Sequence, residues 1–336
     1  MKQESTIKDV ASWAGVSCAT VSRYLNKTRS FPEAVTQKID AAITELNYSP
    51  NAAAKSLKQK KTHVIGLIVP DMIVYSYIYK TIESLLYENG YILLICDSSY
   101  SPAKENAQLH NLVRQRVDGI FIASSGHNSN YIHMILEQKI PIVMFNRYQP
   151  ELPKMHYVLE PGKEMMKKII SYAIDLGHRK FAYFKGPSDA TVSEEKFQIF
   201  TTLLQEHHIP LNTHYYFDNV TSEEEIRKAS NEVLDHLDDV SIVVSTNAKQ
   251  IKYFIMTCHE RHIKIPDQVS VTGFGLEEYK SLFSVPVTCA IQNHNAIGQR
   301  CVEEMMSLLA NPDSLSIRKI TYVGMEFFKG ATVKKL

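Results

Sequence analysis

Ten consecutive residues, Ser17 to Asn26, carry the side chains best suited to bonding another molecule. Ser17, Thr20 and Ser22 are short hydroxyls that can reach phosphates or base edges. Arg23 can give guanine O6 and N7 two hydrogen bonds, worth roughly 1–3 kcal/mol of discrimination against the wrong base. Cys18 and Ala19 are small and apolar, suited to a thymine methyl. The same residues would also make the polar face of a plain helical hairpin, so the surrounding elements have to decide.

Those elements are legible. Ile7, Val10, Ala11 and Ala14 recur at helical spacing, and Gly15 can end that helix in a left-handed cap. Ser17 is a good N-cap for a second helix through Val21 to Leu25, with Val16, Val21 and Leu25 facing inward. Pro32 opens a third helix with Val35, Ile39, Ala42, Ile43 and Leu46 on one face, and Asn47-Tyr48-Ser49-Pro50 stops it. Two short helices joined by a tight turn, the second rich in small polar side chains, have the shape of a helix-turn-helix, though spacing alone also allows a plain helical hairpin. In a helix-turn-helix the second helix enters the major groove and presents its N-terminal residues to base edges. Residues 52–61, AAAKSLKQKK, then form a short helical run that breaks into a basic tail. Residues 1–61 hold ten Lys and Arg against five Asp and Glu, and the remainder 27 against 31. A basic head on a mildly acidic body points to a polyanion bound by the head.

At 336 residues the chain exceeds one ordinary core, and 44% hydrophobic with 22% charged residues is a globular composition. No apolar run reaches the ~18 residues of a membrane helix, and MKQESTIKDV lacks the apolar region of a signal peptide. A cytoplasmic protein without membrane partners is expected. Cys18, Cys96, Cys258, Cys289 and Cys301 are scattered, so neither a disulfide framework nor a zinc site is indicated. The 13 histidines show no metal spacing. Ser124-Ser125-Gly126 and Gly273 to Gly275 are strand-end loops with no base nearby. No catalytic residue, cofactor or metal is expected.

From His63 the pattern changes. HVIGLIV (63–69), YILLIC (91–96), GIFIA (119–123) and PIVMF (141–145) alternate with stretches of helical length. KFAYF (180–184), SIVVS (241–245) and VSVTGF (269–274) form a second series. Such alternation implies parallel sheets with helices on both faces, in two similar lobes, with a seam near Tyr157 to Gly162.

TIKDVA, AGVS, ATVSR and LN in the head, then NYSPNAAAKSL, IGLIVPD, LGHRKFAYFKGP (176–187) and IPDQVSVTGF (265–274), occur in order along the chain. In these motifs the sequence resembles the lac repressor family of bacterial regulators over essentially its whole length. The resemblance implies an all-α helix-turn-helix head, residues 1–50, and a hinge, 51–61. It also implies an α/β core, 62–331, a two-lobed periplasmic-binding-protein-like domain with parallel sheets. One lobe would hold about 62–160 and 292–322, the other about 161–291 and 323–331. Cys18, Ala19 and Arg23 would be the base-reading positions. Thr20 and Asn26 would meet the DNA backbone, with Thr6, Ser17 and Ser22 among the DNA-facing side chains. The family's hinge helix folds on the operator as a pair from two subunits and wedges a leucine into the minor groove. Here that leucine is Leu57, with Ala54, Lys55 and Lys58 beside it. The partners implied are double-stranded, pseudo-palindromic operator DNA, a second copy of the chain, and a sugar-like effector.

For the effector, the resemblance points to a cleft between the lobes. Asn247, Gln292, Lys196, Asn146, Arg147 and Phe274 fall at its positions. Lys196 stands where the family usually has arginine, and Asn146 where aspartate is common. Ala248 follows Asn247 instead of aspartate, Gly275-Leu276 replaces an Asp-Asp pair, and Glu160-Pro161 replaces Asp-Asn. MIVYSYIY (72–79) replaces an Asn-Pro-Phe-Phe stretch. The cleft is therefore expected to have lost carboxylates and gained tyrosines, favouring a phosphorylated or acidic sugar near Lys196 and Arg147. A decayed cleft or control by a protein partner stays open, as do inducer against corepressor and dimer against tetramer. A periplasmic-type solute carrier would need an export signal and no basic head.

Overall fold

The computed structural model describes residues 5–49, 61–152, 154–187 and 190–336. The hinge candidates Ala54, Lys55, Leu57 and Lys58 lie outside the described residues. The chain divides into two units, Met1–Thr62 and His63–Leu336.

The first unit holds α1 (Ile7–Trp13), α2 (Cys18–Leu25) and α3 (Glu33–Glu45). Thr6 donates its backbone N–H and its hydroxyl to Asp9 Oδ2, each at 2.7 Å. Gly15 turns the chain with φ +66°, a conformation that costs glycine no Cβ clash. Ser17 Oγ then accepts from the Thr20 amide at 3.1 Å and caps α2. Val10, Val21, Ile39 and Ala42 are fully buried, with Val16, Leu25, Val35, Ile43 and Leu46 packed around them. Tyr24 donates to Asp40 Oδ1 at 2.6 Å and clips α2 to α3.

In the second unit the described residues form two six-stranded sheets. The first runs β11 (Lys319–Tyr322), β5 (His156–Leu159), β4 (Ile142–Phe145), β3 (Gly119–Ile122), β1 (Val64–Val69), β2 (Ile92–Asp97). The second runs β12 (Glu326–Phe328), β10 (Cys289–Gln292), β9 (Ser270–Leu276), β8 (Ile242–Ser245), β6 (Phe181–Phe184), β7 (Tyr216–Phe217). Neighbours are parallel except β10 and β12, which are antiparallel. β3, β4, β5, β6 and β8 are buried along their whole lengths, as strands covered on both faces must be.

In the first lobe α4 (Ser76–Glu88) and α11 (His294–Ala310) cover one sheet face through Ile78, Ile82, Ile297 and Met305. On the other face lie α5 (Pro102–Arg114) and α6 (Ser129–Glu137), through Leu109, Leu112, Ile132 and Ile135. The second lobe repeats this with α7 (Gly162–Asp175) and α8 (Thr191–Glu206) against α9 (Glu223–Asp235) and α10 (Ala248–Glu260).

All seven strand runs read from the sequence are present. β5, β7, β10, β11 and β12, two to four residues long, were not read from it. β5 takes up Tyr157 to Leu159, so the first crossing between lobes falls after it. Two later crossings lie between β10 and α11 and between β11 and β12. The tail also runs past 331 as part of the second lobe. Thr332 Oγ1 donates to the Val271 carbonyl at 2.7 Å, and the Leu336 amide to the Leu176 carbonyl at 2.9 Å.

Candidate nucleic-acid interface and ligand cavity

On α2 the structure sorts the candidate side chains by what they already bond. Ser17 and Thr20 hydroxyls share a hydrogen bond at 2.9 Å, and Asn26 Nδ2 donates to the Ser22 carbonyl at 2.8 Å. Thr6 is likewise engaged with Asp9, whose carboxyl is held below its usual range first by the Thr6 hydroxyl. These groups set the helix ends while remaining exposed or half-buried. Cys18, Ala19 and Arg23 are exposed. They lie at the first, second and sixth positions of α2, so they are free to meet a groove. Val21 alone of α2 is fully buried, anchoring the helix to the head's core.

In the second unit, a cavity of about 760 Å³ lies between the lobes. Asn146, Arg147, Lys196, Asn247, Phe274 and Gln292 all line it. Asn146 and Arg147 follow β4, and Phe274 lies near the end of β9. Gln292 closes β10, and Asn247 caps α10, its side chain accepting from the Gln250 amide at 3.1 Å. These are carboxyl ends of parallel strands, where α/β sheets open clefts. Asn146 holds φ +53° while its amide donates to the Val158 carbonyl at 3.1 Å. At Gly273, with φ +149°, a Cβ would meet the Ser245 carbonyl oxygen, so only glycine lets β9 approach β8 this closely beside Phe274.

The charges divide unevenly. Lys196 Nζ sits 3.6 Å from the Phe274 ring centroid and donates to the Thr246 carbonyl at 3.1 Å. Burial pushes its pKa down to about 8, against the opposing pull of Glu160 and helped by Arg147. Glu160 accepts from Gln292 Nε2 at 2.8 Å and from the Asn293 amide at 3.2 Å. Burial nonetheless raises its pKa. For both partners, loss of solvation outweighs their attraction. Lys249 is tied to Asp71 at 3.1 Å, a bond that spans the lobes, as does Tyr77 to Glu278 at 2.6 Å. Arg147 differs. It is 7% exposed and makes no hydrogen bond or ion pair with any described residue.

Two further polar atoms at the cavity are buried without a partner among the described residues, Asn146 Oδ1 and His294 Nδ1. His294 is pushed down to about 4 by burial and so is neutral. Of the 72–79 stretch expected to bring tyrosines, only Tyr75 lines the cavity; Tyr100, Tyr148 and Tyr322, from elsewhere in the chain, line it too. The expected loss of carboxylates needs correcting. Glu160, Glu164 and Glu195 all line the cavity, and Glu160 is bonded to the very glutamine read as a ligand group. Its position at the seam was visible in the sequence. That it folds back toward Gln292, 132 residues later, was not.

The loop Ser124 to Gly126 also differs from expectation, because a carboxylate does stand beside it. Glu105 of α5 is fully buried and accepts from Ser124 Oγ and the Ser125 amide, each at 2.8 Å, and from Asn128 Nδ2. Burial raises its pKa. This network packs the end of β3 beneath the cavity side of the lobe and draws in Gln149, whose Nε2 donates to Ser124 Oγ at 2.7 Å.

Comparison with known proteins agrees with both halves. Residues 6–51 match the bacterial regulatory proteins of the lacI family, and residues 170–331 a periplasmic binding protein-like domain. The chain is 28% identical over 305 residues to an HTH-type transcriptional repressor PurR of Photobacterium profundum, covering 90% of this chain and 91% of that one. A PurR of Vibrio atlanticus is 28% identical over 335 residues, covering 99% of both. The crystal structure of the lac repressor dimer bound to operator and an anti-inducer superposes with a TM-score of 0.82 at 20% identity. The match covers 99% of this chain and 100% of that one. The fold is that of these regulators.

Proposed function

The chain belongs to the lacI family of bacterial regulatory proteins, and from that premise we propose a repressor whose operator affinity is set by an anionic small molecule held between its lobes. In this reading Cys18, Ala19 and Arg23 choose the bases, while Thr6, Ser17, Thr20, Ser22 and Asn26 meet the backbone. The hinge segment with Ala54, Lys55, Leu57 and Lys58 completes the contact. A wedge such as Leu57 unstacks a base step, and the resulting bend brings more phosphates onto the protein.

One observation carries the effector half: Arg147 lines the cavity, is 7% exposed, and makes no hydrogen bond or ion pair with any described residue, although its charge is felt by Glu105. A desolvated cation is costly unless something supplies the opposite charge, and a planar guanidinium fits carboxylate or phosphate oxygens in pairs. Lys196 is less apt for that task, because the Phe274 ring, the Thr246 carbonyl and Glu160 already surround it. The volume suits a ligand of sugar size. Asn146 Oδ1 would accept a hydroxyl, and the tyrosines offer an apolar platform. A sugar phosphate or sugar acid meets these demands together.

A two-fold pair would read a pseudo-palindromic operator. Support for a homodimer comes from the edge strand β2, where Ile92 and Leu94 point to one face, 68% and 41% exposed, and from Tyr87 of α4, 77% exposed.

The test is a thermal-shift screen of neutral sugars, sugar acids and sugar phosphates on the full chain, repeated with Arg147→Ala. Acidic ligands should raise the melting temperature of the wild type and lose that effect in the variant. Stabilisation by neutral sugars alone, unchanged in Arg147→Ala, refutes the reading. The active ligand should then change operator affinity by a coupling of about 1–3 kcal/mol.

A further inference from the structure

Away from the cavity, on the outer side of the second lobe, three metal-ligating side chains converge. His214 lies in the one-turn 3₁₀ helix Thr213–Tyr215, whose position is set by Asn212 Oδ1 accepting from the His214 amide at 3.1 Å. Glu232 lies in the last turn of α9, and His236 caps that helix four residues later. One ligand atom from each lies within 4.8 Å of the others. Nothing in the sequence spacing announced this, because His214 comes from a separate turn.

The geometry is that of a metal corner. His214 Nε2 stands 3.1 Å from Glu232 Oε1. The edge of a tetrahedron with metal–ligand bonds of about 2.0–2.1 Å is about 3.3 Å. His236 Nδ1 lies 3.0 Å from the Glu232 carbonyl. A carbonyl can only accept, so Nδ1 carries the hydrogen and Nε2 is left with the lone pair a metal needs. That is the carbonyl-bonded arrangement by which proteins orient ligating histidines. Tyr215, itself buried, packs edge-on against the His214 ring at 4.7 Å and lies tilted to the His236 ring at 6.2 Å. The two imidazoles lie beside each other, ring centroids 6.1 Å apart, and the Tyr215 hydroxyl donates to Asp239 Oδ2 at 3.1 Å.

We propose that His214, Glu232 and His236 form a site for a borderline divalent cation of the zinc class, with water in the fourth position. Two imidazoles and a carboxylate are the donor set that Zn²⁺ takes with three protein ligands, and imidazole also suits Cu²⁺ and Ni²⁺. On binding, the metal takes the place of the hydrogen between His214 Nε2 and Glu232, which is released to water or carried to His214 Nδ1. The side chains of His214 and His236 are exposed, which leaves them room to turn and close the triangle from atoms now within 4.8 Å of one another. The three ligands bracket residues 214–236. That segment includes Asp218, paired with the buried Lys185 at 3.4 Å, and Thr221, which lines the cavity. The metal therefore staples both ends of the β7–α9 unit without touching the ligand cavity.

The test uses the full chain, freed of metal by a chelator and titrated with Zn²⁺ by calorimetry, alongside His214→Gln and His236→Gln. The wild type should bind one equivalent that each variant loses, and its melting temperature should rise with Zn²⁺ while the variants' does not. Without metal all three should melt together, since both histidines are exposed. Co²⁺ should give the strong visible absorption of a low-coordinate site only in the wild type. Equal Zn²⁺ stoichiometry in wild type and both variants, which would put the metal on other groups such as the exposed Cys18, overturns the proposal. So does a wild type that binds none.

Discussion

The residues that would read DNA and the residues that would read the effector are gathered in opposite ways. Ser17 to Asn26 lie on one helix and its caps, within ten positions of one another. The groups around the cavity come from positions 74 to 324 and meet only because two parallel sheets end there. The head has a core of six buried side chains, whereas each lobe of the second unit closes a hydrophobic cluster on either face of its sheet, and the second lobe a further one around Ile251 and Tyr279. The head leaves its cation, Arg23, in solvent, where it is cheap to keep and screened by salt. The core buries its cation, Arg147, where charge is expensive and a partner is worth more. A reader on the surface and a sensor in the interior should therefore fail under different conditions.

Salt should separate them most. If the head and hinge neutralise six to ten phosphates, operator affinity falls by about 10³–10⁵ between 50 and 200 mM salt. Acidic-ligand binding in the cavity should change far less, being shielded from the bulk. Trp13, the one tryptophan, is half exposed on α1 and offers a fluorescence readout of operator binding. A flat salt response would break the comparison.

Acid should separate them next, with the opposite half suffering. His178 and His294 are each pushed down to about 4, in both cases first by burial. Histidine in the unfolded chain titrates near 6.5. Below that value the unfolded state takes up protons that the folded core refuses. Stability present above about pH 6.5 is then lost as pH falls toward 4, by about 1.4 kcal/mol per unit for each histidine. Residues 5–49 contain no histidine, so the head carries no such term. Urea unfolding of the full chain from pH 7.5 to 4.5, with circular dichroism for the core and Trp13 emission for the head, checks this. Equal losses in both signals would contradict it.

The smallest effect sharpens the assignment within the head. Arg23→Ala should weaken operator binding by roughly 1–3 kcal/mol, about 5- to 150-fold, and relax preference at one base pair. The thermal shift given by the effector should not change. Loss of affinity equal across unrelated DNA would assign Arg23 to phosphate instead.

Legibility followed the same division. Gly15 in its left-handed turn, Ser17 as a cap and Val21 as an anchor were all readable, since each acts over four residues or fewer. The strands read from the sequence stood out as continuous apolar runs, as strands covered on both faces must be. β7 and β12, of two and three residues, carry too few side chains to make a pattern. At the cavity, Asn146, Arg147, Lys196, Asn247, Phe274 and Gln292 were located from motifs, and all six line it. Glu160 was misjudged as one of several lost carboxylates, and His294, Tyr75 and Tyr100 were not singled out. Their roles arise from burial and from neighbours over a hundred residues away.

The sequence by itself determined the helix-turn-helix, the alternation that makes two parallel-sheet lobes, and the family. Those depend on local capping, periodicity and ordered motifs, which act between near neighbours in the chain. Only the tertiary structure decided which cation in the cavity is engaged and which is not. Lys196 stands on Phe274 beside Glu160, whereas Arg147, 7% exposed, makes no hydrogen bond or ion pair with any described residue. It alone brought His214 to Glu232 and His236. Desolvation and charge pairing depend on distances in space, and the chain sets those distances only once its sheets have closed.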